Sequence, residues 1–86
     1  MKVEKQKKFS LNALYDLIRQ RKKLDSKEKK HSYTVKLFSL GRGYICKKVK
    51  EEAREVVDSA LKEGPGRTVQ ESADLLYHLL VLWAER

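Results

Sequence analysis

An 86-residue chain with one cysteine can form a single small domain and no internal disulfide bond. Its net charge of +8 is uneven, because residues 1–50 hold 16 of the 20 lysines and arginines but only 4 of the 12 acidic residues. The longest apolar run is far below the roughly 20 residues that cross a membrane, and no secretory signal is visible. We therefore expect a cytoplasmic protein whose basic half meets a polyanion.

The first third of the chain predicts a tail, one helix and a loop. Residues 1–8 are charged and aperiodic, which is typical of a disordered basic tail before a single domain over residues 9–86. From Ser10, a good N-cap, apolar residues recur at helical spacing through Ile18. The charged run over residues 19–31 loses this period, so a solvated loop is expected there.

Three further helices are predicted after this loop. Ser32 can cap a short helix that ends at Gly41 or Gly43. A long helix follows over about residues 44–63 and stops at Glu-Gly-Pro-Gly, and the last helix begins near Thr68. No segment alternates over strand length, so we predict an all-α bundle of four to five helices. Cys46 has apolar neighbours and is expected to pack in the core.

The last helix is apolar on nearly every side, as the run ADLLYHLLVLWA (residues 73–84) makes plain. One neighbouring helix cannot cover such a surface. A chain this short buries only about 60–65% of its unfolded surface, so its own core is marginal. We therefore predict a homodimer that completes a larger helix bundle.

Acidic residues form an i, i+3 pair on each of the last two helices. Glu52 and Glu55 lie beside the apolar stripe of the long helix, and Glu71 and Asp74 form a polar strip on the last one. Two antiparallel helices joined by a short turn can bring these pairs face to face. Converging carboxylates repel one another unless a cation lies between them, and Mg²⁺ prefers oxygen ligands. One interpretation is therefore a magnesium site.

The alternative is an ordinary solvated helix face. Glu51, Glu52 and Glu55 can pair with nearby lysine and arginine side chains at helical spacing. Thr68 and Glu71 match a capping box, which would explain Glu71 without a metal. Spacing alone does not decide between these interpretations.

Basic residues precede the acidic ones on the long helix. Lys47 and Lys48 come about one turn before the first carboxylates, and Lys36 and Arg42 add cations nearby in sequence. A polyphosphate requires this combination, since a metal and lysines neutralise different oxygens. The sequence contains no P-loop, no zinc-ligand spacing and no nucleophile elbow.

Three segments together resemble the phosphoribosyl-ATP pyrophosphatase family of the all-α NTP pyrophosphatase (MazG-like) superfamily. They are SYTVKLFSLG, KKVKEEAREVVDSA and ESADLLYHLLVLWAE. The superfamily pattern EExxE followed by ExxD falls on residues 51–55 and 71–74, and the resemblance covers residues 11–85. The chain departs from the family at Lys50, where a glycine is usual, although a helix tolerates lysine better than glycine.

The resemblance implies a homodimeric, Mg²⁺-dependent enzyme that hydrolyses phosphoribosyl-ATP to phosphoribosyl-AMP and pyrophosphate, the second step of histidine biosynthesis. Glu51 or Glu52 would activate the attacking water. The implied metal ligands are Glu52, Glu55, Glu71 and Asp74, and the implied phosphate-binding residues are Lys47, Lys48, Lys36 and Arg21.

Two other functions remain open at this point. One is a pyrophosphatase of the same superfamily that acts on non-canonical NTPs. The other is a basic helical protein that binds nucleic acid, which the net charge favours. Without a metal the carboxylates would repel a nucleic acid, so nucleic acid is not an expected partner. A membrane is not expected either, because the apolar runs are too short to cross one.

Overall fold

The computed structural model describes residues 10–23 and 32–86, which form four α-helices. They are α1 (Leu11–Lys22), α2 (Tyr33–Leu40), α3 (Arg42–Lys62) and α4 (Pro65–Glu85). The described residues contain no strand, so the predicted all-α fold is confirmed. The predicted tail over residues 1–8 lies outside these ranges, as does most of the predicted loop, although α1 continues through Lys22 rather than ending before Arg19.

The first two helices begin at their predicted caps. The Ser10 hydroxyl accepts a hydrogen bond from the Ala13 N–H at 3.1 Å, and the Ser32 hydroxyl accepts one from the Val35 N–H at 3.3 Å. Gly41 ends α2 with φ 96°, in the left-handed region that favours glycine. The same residue is the N-cap of α3, so this helix starts two residues earlier than predicted.

The predicted start of α4 near Thr68 is wrong, because the helix begins at Pro65 with Gly64 as its N-cap. Proline suits the first helical position, since its φ is already helical and the N–H it lacks would have no partner there. Thr68 therefore lies inside the helix, and its capping box with Glu71 does not form. The Thr68 hydroxyl instead hydrogen-bonds with the buried Ser59 hydroxyl of α3 at 3.3 Å.

The helices α3 and α4 form an antiparallel hairpin, and α1 and α2 pack against it. The small core consists of Ile18, Leu37, Ile45, Leu80 and Val81. Cys46 is exposed, contrary to prediction, because it lies about 100° round the helix from the buried Ile45. Within the described ranges, no helix is long and apolar enough to cross a membrane.

Candidate metal centre

Three carboxylates meet where α3 and α4 face each other. Glu52 on α3 and Glu71 and Asp74 on α4 each place one oxygen within 4.8 Å of the other two. Glu52 and Asp74 lie at similar distances from the turn, and Glu71 is one helical turn nearer to it. Glu71 is buried, Glu52 is half-buried and Asp74 is exposed, so the cluster opens to solvent on the Asp74 side.

One cation flanks the cluster on each helix. On α3, the Lys48 Nζ lies 3.1 Å from Glu51 Oε1 and 3.8 Å from Glu52 Oε2. The hydrogen bond to Glu51 raises the pKa of Lys48, so this ammonium stays charged. On α4, the Arg67 guanidinium donates to the Glu71 carboxylate. Arg67 is not among the residues predicted for the site, although its i, i+4 spacing to Glu71 indicates an ion pair on a helix.

A hydrogen-bonded network links α2 to the turn of α4 that carries Asp74. The His78 Nδ1 lies 2.7 Å from the Asp74 carbonyl oxygen, which can only accept, so Nδ1 carries the proton. In the neutral ring, Nε2 then accepts the Tyr33 O–H at 2.9 Å. The Tyr33 ring stacks on Tyr77, whose hydroxyl hydrogen-bonds with Thr34, and burial raises the pKa of both tyrosines. The network fixes the helical turn from which Asp74 projects.

Some of the predicted acidic and basic residues lie outside the three-carboxylate cluster. Glu55 is exposed on α3, one turn beyond Glu52, and Glu51 is exposed and paired with Lys48. Lys47 is also exposed, with its Nζ 6.0 Å from the centroid of the Tyr44 ring.

The remaining predicted residues lie on α1, α2 and α3. Arg21 donates to the Ser32 hydroxyl at 2.9 Å, so it holds the start of α2. Lys36 is exposed on α2, and no hydrogen bond or ion pair among residues 10–23 and 32–86 joins its side chain to the carboxylates. Lys50, which stands where the resembled family has glycine, points to solvent and leaves α3 regular.

The cluster suits a hard divalent ion. All three donors are carboxylate oxygens, the ligand type that Mg²⁺ and Ca²⁺ prefer. With metal–oxygen bonds of about 2.1 Å, oxygens around Mg²⁺ lie roughly 3–4 Å apart, so small side-chain rotations would close the observed cluster around an ion. The donors and their spacing therefore fit a bound metal ion.

Comparison with known proteins identifies the family. The sequence profile described as "Phosphoribosyl-ATP pyrophosphohydrolase" matches residues 11–86. The chain belongs to this family. The resemblance seen in the three sequence segments is thus confirmed.

Several relatives carry the name phosphoribosyl-ATP pyrophosphatase. One from Paramagnetospirillum magneticum is 55% identical over 75 residues, which cover 87% of this chain and 66% of the relative. One from Rhodospirillum rubrum is 61% identical over 54 residues, covering 63% and 46%. One from Sulfurisphaera tokodaii is 50% identical over 74 residues, covering 86% and 76%. The chain thus spans 66% of the length of the first of these relatives and 46% of the length of the second.

Proposed function

We propose that this chain, acting as one domain over residues 9–86, hydrolyses phosphoribosyl-ATP to phosphoribosyl-AMP and pyrophosphate in histidine biosynthesis, in the cytoplasm. The observation that carries the proposal is the group of three carboxylates within 4.8 Å of one another, with Lys48 beside them. The family match and the printed names of the relatives support the choice of substrate.

The proposed cofactor is Mg²⁺, held by Glu52, Glu71 and Asp74. Glu55 is proposed as a fourth carboxylate from the next turn of α3. When bound, the ion would neutralise charge on the phosphate oxygens at the anhydride bond that breaks. The chemistry of the donor set supports this choice, since all three donors are carboxylate oxygens and Mg²⁺ would take its remaining oxygen ligands from phosphates and water.

The side chains of this chain supply the remaining roles. Glu51 or Glu52 would accept a proton from the water that attacks the phosphoanhydride. Lys48, already beside these carboxylates, would neutralise charge on the departing pyrophosphate. Lys47 and Lys36 would assist at the phosphates, and Arg21 would bind near the phosphoribosyl end. These last roles come from the family resemblance.

The first test replaces the carboxylates by their neutral isosteres. Glu52→Gln and Asp74→Asn should each lower the rate of Mg²⁺-dependent pyrophosphate release by about 100-fold or more, because each removes a ligand and a charge. Glu55→Gln should cost roughly tenfold if it is the fourth ligand. The matched control is Asp58→Asn, an exposed acid on the same helix, which should leave the rate unchanged.

Three results would contradict the proposed function. Unchanged turnover in both Glu52→Gln and Asp74→Asn would refute the site. Faster pyrophosphate release from plain or non-canonical NTPs than from phosphoribosyl-ATP would favour the alternative substrate class, a pyrophosphatase of the same superfamily that acts on NTPs. Salt-sensitive binding to nucleic acid without hydrolysis would favour the nucleic-acid alternative.

A second copy of the chain is the proposed partner. Between α1 and α4 lies an apolar groove of about 380 Å³, lined by Leu11, Asn12, Tyr15, Leu76, Leu79, Leu80 and Trp83. Self-association through this groove would bury apolar surface that residues 10–23 and 32–86 of one chain leave exposed.

A further inference from the structure

Arg67 occupies an unfavourable position in α4. It is the third residue of the helix, so its positive charge faces the positive end of the helix dipole. Three partners hold it there: Glu63 at 3.1 Å from Nε, Gln70 at 2.8 Å from Nη1, and Glu71 at Nη2. The guanidinium is therefore fixed against the carboxylate cluster, despite the electrostatic cost of its place in the helix.

The two partners of the Arg67–Glu71 pair differ in their exposure to solvent. The Glu71 side chain is 9% exposed, whereas the Arg67 side chain is 51% exposed. A nearly buried carboxylate without a cation is costly. Among the ion pairs of the described residues, Arg67 is the cation that reaches Glu71. The guanidinium of an arginine is always charged in proteins, and the hydrogen bond to Glu63 raises the pKa of Arg67 further.

Lys48 on α3 is not paired with a carboxylate of the cluster as closely as Arg67 is. Its ammonium is closer to Glu51, outside the cluster, than to Glu52, at 3.1 Å against 3.8 Å. Arg67, by contrast, binds a cluster carboxylate directly. A dication held by the same cluster would repel the guanidinium across a short distance. The metal and Arg67 therefore make opposing demands on Glu71.

We propose that Arg67 is the counter-ion of Glu71 in the metal-free protein and competes with the divalent ion for this carboxylate. The proposal rests on the metal site described under the proposed function. It has two consequences of opposite sign. Arg67 stabilises the α3–α4 hairpin when no divalent ion is bound, and it weakens the binding of that ion.

The test is Arg67→Gln, which keeps a polar side chain and removes the charge. Titration calorimetry with MgCl₂ and no nucleotide should give a dissociation constant roughly five- to tenfold lower than that of the wild type. Thermal unfolding without metal should show a midpoint roughly 5 °C lower, because Glu71 loses its cation. At saturating MgCl₂ this difference should vanish or reverse.

Two further variants make the test specific. Arg54→Gln removes the same charge from an exposed position on α3, and the ion pairs found among residues 10–23 and 32–86 do not include Arg54. It should leave both metal affinity and the metal-free midpoint nearly unchanged. Arg67→Lys keeps the charge and should retain a dissociation constant close to that of the wild type, which covers the case in which Arg67→Gln does not fold.

Equal or weaker Mg²⁺ binding by Arg67→Gln would overturn the proposal. So would an equal loss of stability with and without metal, since that describes an ordinary helix ion pair. If the wild type binds no Mg²⁺, both this proposal and the metal site fail. If Mg²⁺ binds with the predicted differences but phosphoribosyl-ATP is not cleaved, only the proposed function fails.

Discussion

The two sides of α4 differ in how far the surrounding residues satisfy or cover their side chains. On one side, carboxylates, His78 and Tyr33 form a polar surface in which each described buried polar side chain has a hydrogen-bond partner. On the other side, Leu76 and Trp83 line a groove and remain 43% and 61% exposed. Polar groups are satisfied by a few nearby partners, which one chain can supply. An apolar surface is shielded from water only by packing a comparable area of other apolar groups against it, and the described part of the chain does not supply that area at the groove.

The largest expected effect is on the apolar side. Leu76→Glu places a charge in the groove of each copy, so it should raise the dissociation constant of the proposed dimer about 1000-fold or more. Sedimentation velocity over a range of concentrations measures this shift. Leu61→Glu, which changes a 76% exposed leucine on α3, is the matched control and should not alter assembly. If the wild-type chain is monomeric at all concentrations, the apolar side of α4 does not need a second copy, and the proposed dimer is wrong.

A smaller effect is expected on the polar side. His78→Leu removes both ring hydrogen bonds, so the Tyr33 hydroxyl loses its partner on α4 and the Asp74 carbonyl keeps only its hydrogen bond within the helix. The free energy of unfolding in urea should fall by about 1–3 kcal/mol. Tyr33→Phe removes only one of these bonds and should cost about 0.5–1.5 kcal/mol. If the two variants are equally stable, the network does not link α2 to α4 as described.

The smallest effect is a loss of stability at alkaline pH. Burial raises the pKa of Tyr33 and of Tyr77, and the hydrogen bond to Glu51 raises the pKa of Lys48. Above pH about 10 the unfolded chain releases protons that the folded protein keeps, so the free energy of unfolding declines as pH rises. Urea denaturation from pH 8 to 11 should show a plateau and then this decline. Tyr77→Phe should make the decline shallower, and a steeper one would contradict the assignment.

Local signals in the sequence predicted much of the fold. Ser10 and Ser32 were found because an N-cap acts within three residues. The predicted start of α4 is wrong because the Gly-Pro-Gly turn has two roles: it ends α3, and its Pro65 also begins the first turn of α4. Cys46 was misplaced because apolar neighbours in sequence do not share its direction on a helix.

The candidate site was partly predictable for the same reason. The proximity of Glu52, Glu71 and Asp74 was predictable from the sequence, because a short turn forces α3 and α4 to run antiparallel. The contact between Tyr33 and His78 spans 45 positions and depends on how α2 docks, which periodicity does not encode. Whether Glu55 joins the cluster depends on side-chain rotation, which spacing leaves open.

Gly41 joins α2 to α3 without any intervening loop. Its torsions alone decide the angle at which the Tyr33-bearing helix leaves the Lys48-bearing helix. A Cβ there would meet no atom within 4 Å, so an alanine would be opposed by backbone strain at φ 96° and not by crowding. Any change in the tilt of α2 relative to α3 would therefore have to be taken up by the torsions of this single residue.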